Sequence, residues 1–597
     1  MSGRYTPDQG ATAWWLLDIT WAGRVWRIAD SEVVPVNADR DALKYFPGLS
    51  APDVSEELAD PADGTAASVS VSLEVLFPED VPALVAAGFD LSSARAQLSR
   101  WVEGTAYEKR RVVIDGVIED PDYGEPHEAV ALTLEMAPWL EESEIPAADQ
   151  AVAGANFDDD MILSLAPEEL GLAYPIIYGR PGVVSTSIAS TGWITGSEAV
   201  WVDHRDTPDG ATANRGDLSM VIAGHHVSAT TVYVNNADFT EGRRFLVRNT
   251  HDNRGQPIAV VGWWYTKAST DDEWTYSPTG TYTYGASPIW ALGAAASDID
   301  ATYHVDDGVY RRMWVGWRDE EDLTAGGKLG PGGALIRNAA DVIYDLLSAS
   351  TSGVDRGRFA TAAPLLARFN LDFQINARVK PWDFLRSSVL PLLPVSLYTG
   401  PGGVAPVVWR YGAPASMAVA RLDTALDPTL ERVSRVTVDR SKMVNDISVN
   451  YARSARTGNY CAVARLRGDY VDAADTTTGL LDPFCAASQR RYRRKDGGPL
   501  VVEASLDASV ICDTTSAIAV AQWRAAAFAL ARTWVDYEGS EQRYGYLERG
   551  SVVLLSDEAV YLQEAVCIVT GLVPIGGGRL RMRLYRQHDP ARDLVRT

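Results

Sequence analysis

Met443-Val444-Asn445-Asp446-Ile447-Ser448-Val449-Asn450-Tyr451 is the stretch that decides the fold class. Ile447, Val449 and Tyr451 alternate with Asp446, Ser448 and Asn450, the period of a strand with one face on a core. Downstream, Asp513 is positioned as the N-cap of a helix reaching Trp534, with Val520, Trp523, Ala527, Leu530, Ala531 and Trp534 on its apolar face. Strands at Val552–Leu555, Val566–Leu572 and Leu580–Tyr585 follow. The polar, turn-rich sequence after Tyr451, with Asp475-Thr476-Thr477-Thr478-Gly479, reads as a long excursion over 452–487. Residues 431–597 therefore read as a C-terminal barrel with a flanking helix.

The N-terminal part, 1–140, carries the same kind of pattern. Trp14–Trp21 and Val25–Ile28 face each other across Ala22-Gly23-Arg24, a hairpin with Gly at its turn. Ser68–Val75 alternates strictly. Asp80–Ala87 reads as a short helix stopped by Gly88, and Leu91–Leu98 as a second helix capped by Ser92. Strands at Arg111–Ile114, Val117–Glu119 and Val130–Glu135 complete a barrel or curled sheet with a helix at its side.

Between these blocks the character changes three times. Residues 141–181 form an acidic connector, with Glu141-Glu142, Asp158-Asp159-Asp160 and Glu168-Glu169; the spacing of a calcium loop is absent. Residues 182–332 are β-rich, with strands at Val232–Val234, Phe245–Val247 and Ile258–Trp264. Residues 333–430 read as a small α+β domain. Asn338 caps a helix Ala339–Leu347, Pro381 starts another, and strands flank the Gly400–Gly403 turn.

The chain has 597 residues, too many for one core. No stretch approaches the ~18 apolar residues of a membrane span, so no membrane insertion is expected. The net charge is −25, and only seven of the basic residues are Lys. A groove that grips phosphates needs clustered cations to displace counterions, so stable nucleic-acid binding is not expected. The exception is Arg490-Arg491-Tyr492-Arg493-Arg494-Lys495, a basic run with an aromatic in it. In so acidic a chain it reads as a solvated face or a contact to a neighbouring subunit.

No residue is nominated as catalytic, cofactor-binding or metal-binding. Gly326-Gly327-Lys328-Leu329-Gly330 is not a phosphate loop, because Leu329 stands where Ser or Thr is required. His225 and His226 are adjacent, so on a strand they point to opposite faces and cannot chelate together. The aromatics Trp193, Trp201, Trp263, Trp264, Tyr265, Trp274, Tyr276, Tyr282 and Tyr284 suit core and interface filling, or a glycan platform. Cys461, Cys485, Cys512 and Cys567 admit three readings: buried small side chains, disulfides, or a metal or cluster site. The absence of any Cys-x-x-Cys favours the first. No cofactor is expected.

Taken in order, an N-terminal barrel, the helix Asn338–Leu347, the strand Val444–Tyr451, the Ser488…Arg491-Tyr492 segment, the helix Ala517–Trp534 and the turn Tyr544-Gly545-Tyr546-Leu547 resemble the central baseplate or tail-tip hub of long-tailed bacteriophages and gene transfer agents. The resemblance covers about 334–597, and more weakly 12–140; 182–332 stands outside it as an inserted domain. It implies a mainly β, multidomain chain with α+β parts and two tail-tube-like β-barrels, each with a flanking helix. It implies a non-enzymatic virion protein, assembled in the host cytoplasm. Such a hub is a homotrimer whose six barrels join a sixfold tail tube to a threefold tip. Its implied partners are further copies of itself, distal tail and tail-tube proteins, the tape-measure protein, and tip or fibre proteins, with DNA only in transit. Two other classes stay open: a host-surface or glycan-binding tail protein acting through 182–332, and a tail-associated cell-wall hydrolase.

Overall fold

The computed structural model describes residues 13–135, with breaks at 36–42, 51, 55–70, 93, 104–105 and 124–127; short segments between 144 and 329; and 336–588, with breaks at 351–352, 401–402, 454–457, 471–477 and 576–577. These residues are mainly β, with a short helix at Val81–Ala86 and further helices between 339 and 392 and between 483 and 544.

The first sheet is built on β1 (Ala13–Trp21), with one face apolar and the other mixed, carrying Trp14 and Leu16 beside Asp18 and Thr20. Trp15, Leu17, Ile19 and Trp21 enter the main core, and Leu16 joins Ala29, Val33, Tyr45 and Trp101 on the other side. Ala22 and Gly23 both have positive φ, the geometry of a two-residue hairpin turn into β2 (Arg24–Ala29). The remaining elements are β3 (Phe46–Pro47), β4 (Asp53–Val54), β5 (Val71–Val75), α1 (Val81–Ala86), β6 (Arg95–Val102), β7 (Arg111–Asp122) and β8 (Val130–Glu135), in the order β3-β2-β1-β6-β7-β8-β5-β4. The two edges meet. The Gly48 N–H donates to the Ala29 carbonyl at 3.0 Å, and the Gly48 carbonyl accepts from the Leu76 N–H at 2.7 Å. A Cβ on Gly48 would lie 2.2 Å from the Leu76 oxygen, so only glycine lets the strands approach.

One expectation here is corrected. Leu91–Leu98 is not a helix; Arg95–Val102 is β6, paired to β1 and β7. The cap signal belongs to an Asx turn, in which Asp90 Oδ1 accepts from the Ser92 N–H at 3.0 Å. The helical preference of this Ala- and Leu-containing stretch loses to two flanking ladders.

The strand Ile176–Tyr178 pairs antiparallel with Phe373–Ile375. The Gly179 N–H donates to the Ile336 carbonyl at 2.9 Å, so the chain leaves and returns at one place. Gly179 has φ +63°, and a Cβ there would meet Asp372 Oδ1 at 2.3 Å. Between Gly179 and Ile336, one six-stranded and one five-stranded sheet form, plus the hairpin Tyr282–Tyr284 with Ser287–Ile289.

The largest core follows. Asn338 Oδ1 accepts from the Ala340 N–H at 2.9 Å and caps α2 (Ala339–Ser350). Residues 420–439 carry β9 (Ala420–Asp423), β10 (Glu431–Arg432) and β11 (Thr437–Asp439), which belong to the last sheet. β12 (Asp446–Arg453) pairs with β13 (Tyr460–Arg467) and, in parallel, with β14 (Glu503–Asp507); α3 (Pro483–Arg491) lies between β13 and β14 in sequence. α4 (Thr514–Phe528) packs on this sheet and buries residues around its whole circumference, from Ala517 and Val520 to Trp523 and Phe528. Trp523 Nε1 donates to the Leu392 carbonyl at 2.8 Å.

Three corrections arise here. The opening strand does not share a sheet with the closing strands; β12 sits in a separate four-stranded sheet. Residues 452–487 are not one long loop, since β13 and the start of α3 lie within them. The helix ends at Phe528, not Trp534. Thr533-Trp534-Val535-Asp536-Tyr537 is β-branched and aromatic, and it pairs with a neighbouring strand instead.

The last sheet comprises β9, β10 and β11 with β15 (Arg532–Ser540), β16 (Val552–Asp557), β17 (Leu562–Pro574) and β18 (Arg579–Arg586); α5 (Glu541–Tyr544) joins β15 to β16. β9 pairs with β16 at one edge, and β10 and β11 pair with β15 at the other. One chain segment thus touches both edges, around a core that includes Leu422, Val535, Tyr537, Leu555, Val569 and Leu584.

Candidate functional site: the joint between the two curled sheets

The two curled sheets repeat one connectivity. In the first, β5 leads through α1 to β6, then through a 3-10 turn at Tyr107–Lys109 to β7 and β8. β6 pairs with β7, β7 with β8, and β8 with β5, all antiparallel. In the second, β15 leads through α5 to β16, then through a 3-10 turn at Glu558–Val560 to β17 and β18. β16 pairs with β17, β17 with β18, and β18 with β15, again all antiparallel. The flanks differ: β1 runs antiparallel to β6, but β9 runs parallel to β16.

The two units meet at Arg100 and Glu541. Arg100 lies on β6 at the last pair before the 3-10 turn, opposite Arg111, and on the same face as Trp15. Its guanidinium sits 4.9 Å from the Trp15 ring centroid. Its Nε donates to Glu541 Oε2 at 3.3 Å, and its Nη1 lies 3.9 Å from Asp30 Oδ2. The Arg100 and Glu541 side chains are 2% and 6% exposed. Burying both charges costs solvation that their mutual attraction offsets only while each keeps its partner. Glu541 opens α5 directly after β15, where a carboxylate also suits the helix N-terminus. Sequence reasoning missed this pair, since a charge within an apolar strand carries no marker of its distant partner.

The second unit is braced by tyrosine–carboxylate contacts. Tyr544 Oη donates to Asp427 Oδ2 at 2.5 Å. Asp427 Oδ1 accepts from the Thr429 N–H at 2.9 Å, and Arg543 stands 3.1 Å away. Burial raises the Asp427 pKa, but hydrogen bonds from Thr429 and Tyr544 and the Arg543 charge outweigh it, so the carboxyl titrates below its ordinary value. Tyr537 Oη donates to Asp557 Oδ2 at 2.7 Å.

The four cysteines are not brought together as a site. All are free thiols: Cys461 exposed on β13, Cys485 buried in α3, Cys512 partly buried ahead of α4 and Cys567 buried in β17. The disulfide and cluster readings therefore give way to separate thiols. Burial pushes the Cys567 thiol up to about 12 and also raises that of Cys485, with Asp482 adding to the effect. Among the described residues, no group of three or more His, Cys, Asp or Glu is placed to hold a metal. No helix there is long and apolar enough to cross a membrane.

The basic run ends α3. Arg490 pairs with Asp469. Tyr492, 7% exposed, accepts the Ala531 N–H at its hydroxyl (3.0 Å), so its ring is held in the protein and cannot stack on a base. His225 Nε2 accepts from the Ile177 N–H at 3.1 Å, while its Nδ1 lies 2.9 Å from the His226 carbonyl. Burial lowers its pKa, consistent with a neutral ring bonded at both nitrogens. The side chains of the nine aromatics considered as a glycan platform, and the acidic clusters of the connector, lie outside the described residues.

No protein-family model and no curated protein matches this chain. Among solved structures, a tail protein from Neisseria meningitidis MC58 aligns at 10% identity and TM-score 0.33, covering 97% of this chain and 98% of its own. The 43 kDa tail protein of prophage MuSo2 from Shewanella oneidensis aligns at 8% identity and TM-score 0.31, covering 96% and 99%. At those scores neither likeness bears on the fold, and the functional reading rests on this chain's own geometry.

Proposed function

We propose that this chain is a structural protein of a phage tail, the trimeric hub of a tail tip or baseplate that joins a sixfold tube to a threefold tip. The observation that carries the reading is the repeated connectivity of the two curled sheets. A ring that receives a sixfold tube needs six similar surfaces. Three copies supply them only if each copy carries the same unit twice, as two tail-tube-like barrels.

The buried Arg100–Glu541 joint supports the same reading, because it sets two units side by side within one chain. The net charge of −25 suits a channel wall for a polyanion. Cations would retain DNA by releasing its counterions, whereas carboxylates let it pass. On this reading the chain's partners are its own copies, tube proteins, the tape-measure protein and tip or fibre proteins, and its place is the virion. The 180–335 excursion leaves and returns at Gly179 and Ile336, so the hub carries it without breaking its own core.

Mass photometry of the purified chain, followed by averaging of negatively stained particles, tests this. A trimer whose top view has six lobes around a channel is expected. A monomer at micromolar concentration that joins no tail assembly would sink the proposal.

A further inference from the structure

The intrachain joint has two halves, and each unit carries both. The first unit contributes a strand rim, at Arg100 before the Tyr107–Lys109 turn; the second contributes a helix start, at Glu541. The unused halves are therefore the rim of the second unit and the helix of the first. By the ladders, the position matching Arg100 is Asp557, which pairs with Leu562, the first residue of β17.

The matched positions are covered within their own units, Asp557 by Tyr537 and Val81 by the first core, but apolar side chains beside them are exposed. In α5 Glu541 is buried at the joint and Tyr544 in the second unit's own core, whereas in α1, made of Val-Pro-Ala-Leu-Val-Ala, only Val81 is buried and Leu84 and Val85 are half-buried against the first core. Leu76 and Phe89, on either side of α1, are 44% and 45% exposed. On the other rim Tyr561 is 86% exposed and Leu426 is 71% exposed. Leu426 belongs to the turn after β9, where the Thr424 N–H donates to the Ser556 carbonyl at 3.1 Å, beside the end of β16.

We infer that the Glu558–Tyr561 turn, with Leu426, of one copy seats on α1, Leu76 and Phe89 of a second copy of this chain. This inference rests on the hub reading and adds its interface. The contact continues between chains the joint already made within one. The intrachain joint uses a buried ion pair; this one uses aromatic and aliphatic side chains, which dominate interface cores. Its two surfaces differ, so it is head-to-tail, and such contacts close into a ring when the rotation permits.

The test uses the full-length chain and two double variants, Leu76→Glu/Phe89→Glu and Leu426→Glu/Tyr561→Asn, by mass photometry across concentration. Asn tolerates the left-handed backbone at Tyr561 (φ 56°). Each variant alone is expected to lose the trimer, with association weakened about tenfold or more. Mixed in equal amounts, they are expected to stop at dimers, since each retains one intact half. A wild-type trimer with trimeric variants would overturn the interface and leave the hub reading standing; a wild-type monomer would overturn both. Phe89→Cys/Tyr561→Cys provides an arm that needs no weakened contact: oxidation is expected to link copies covalently, and a trimer that stays unlinked refutes the contact.

Discussion

Arg100 on β6 and Glu541 at the start of α5 form a buried ion pair between two separately folded β units, with Arg100 Nε 3.3 Å from Glu541 Oε2. Removing one partner leaves the other charge buried. Glu541→Ala is expected to cost about 3–5 kcal/mol. Arg100→Met/Glu541→Met is expected to cost less than the sum of its single substitutions. A double-mutant cycle in chemical denaturation measures the coupling. Additive single effects would mean that the two charges do not act as a pair.

Gly48 joins the edges of the first sheet by donating to Ala29 and accepting from Leu76. Gly48→Ala places a methyl against the Leu76 carbonyl and must push the edges apart, at about 1–3 kcal/mol. Hydrogen exchange is expected to rise at β2 and β5 and to stay unchanged at β16–β18. Protection equal to wild type at Gly48 and Leu76 would contradict closure through this residue.

Asp427 titrates below its ordinary value in the folded chain. The sign follows from linkage: the folded state holds this proton less tightly than the unfolded chain. Its stabilising effect is complete above the unfolded value of about 4 and is lost as pH falls through the folded pKa. The second unit of Asp427→Asn is expected to show a shallower loss of stability on acidification. Thermal melts at pH 3 to 7, read by tyrosine near-ultraviolet circular dichroism, compare the two.

The thiols differ in burial. Cys461 is expected to react with a disulfide reagent in the native chain, Cys512 more slowly, and Cys485 and Cys567 only after unfolding. Rapid native labelling of Cys567 would contradict its place in the core of the second unit.

Local signals were readable where one residue type has one mechanical role. Asp513 caps α4 by accepting the Ser516 N–H at 2.8 Å, as a side-chain oxygen before an apolar run should. Asn338 does the same for α2, and Asp80 and Gly88 bound α1. Pairing was less readable. The Met443–Tyr451 alternation announced a strand but not its neighbours, because a period of two names a buried face without naming what lies beside it. Leu91–Leu98 looked helical because the ladders that make Arg95–Val102 a strand come from residues outside it. The joint left no trace, since Arg100 and Glu541 become a pair only after two sheets have formed.

What the amino-acid order determined by itself, then, is the mainly β character of the described residues, most element positions, and the caps and turns that bound them, for these depend on neighbours within a few residues. Tertiary structure alone decided which strands share a sheet, that β5–α1–β6–β7–β8 and β15–α5–β16–β17–β18 follow one path, and that their units meet at the buried Arg100–Glu541 pair. Those outcomes depend on contacts between residues from tens to hundreds of positions apart, where burial and charge compensation carry the energy and local propensity carries almost none.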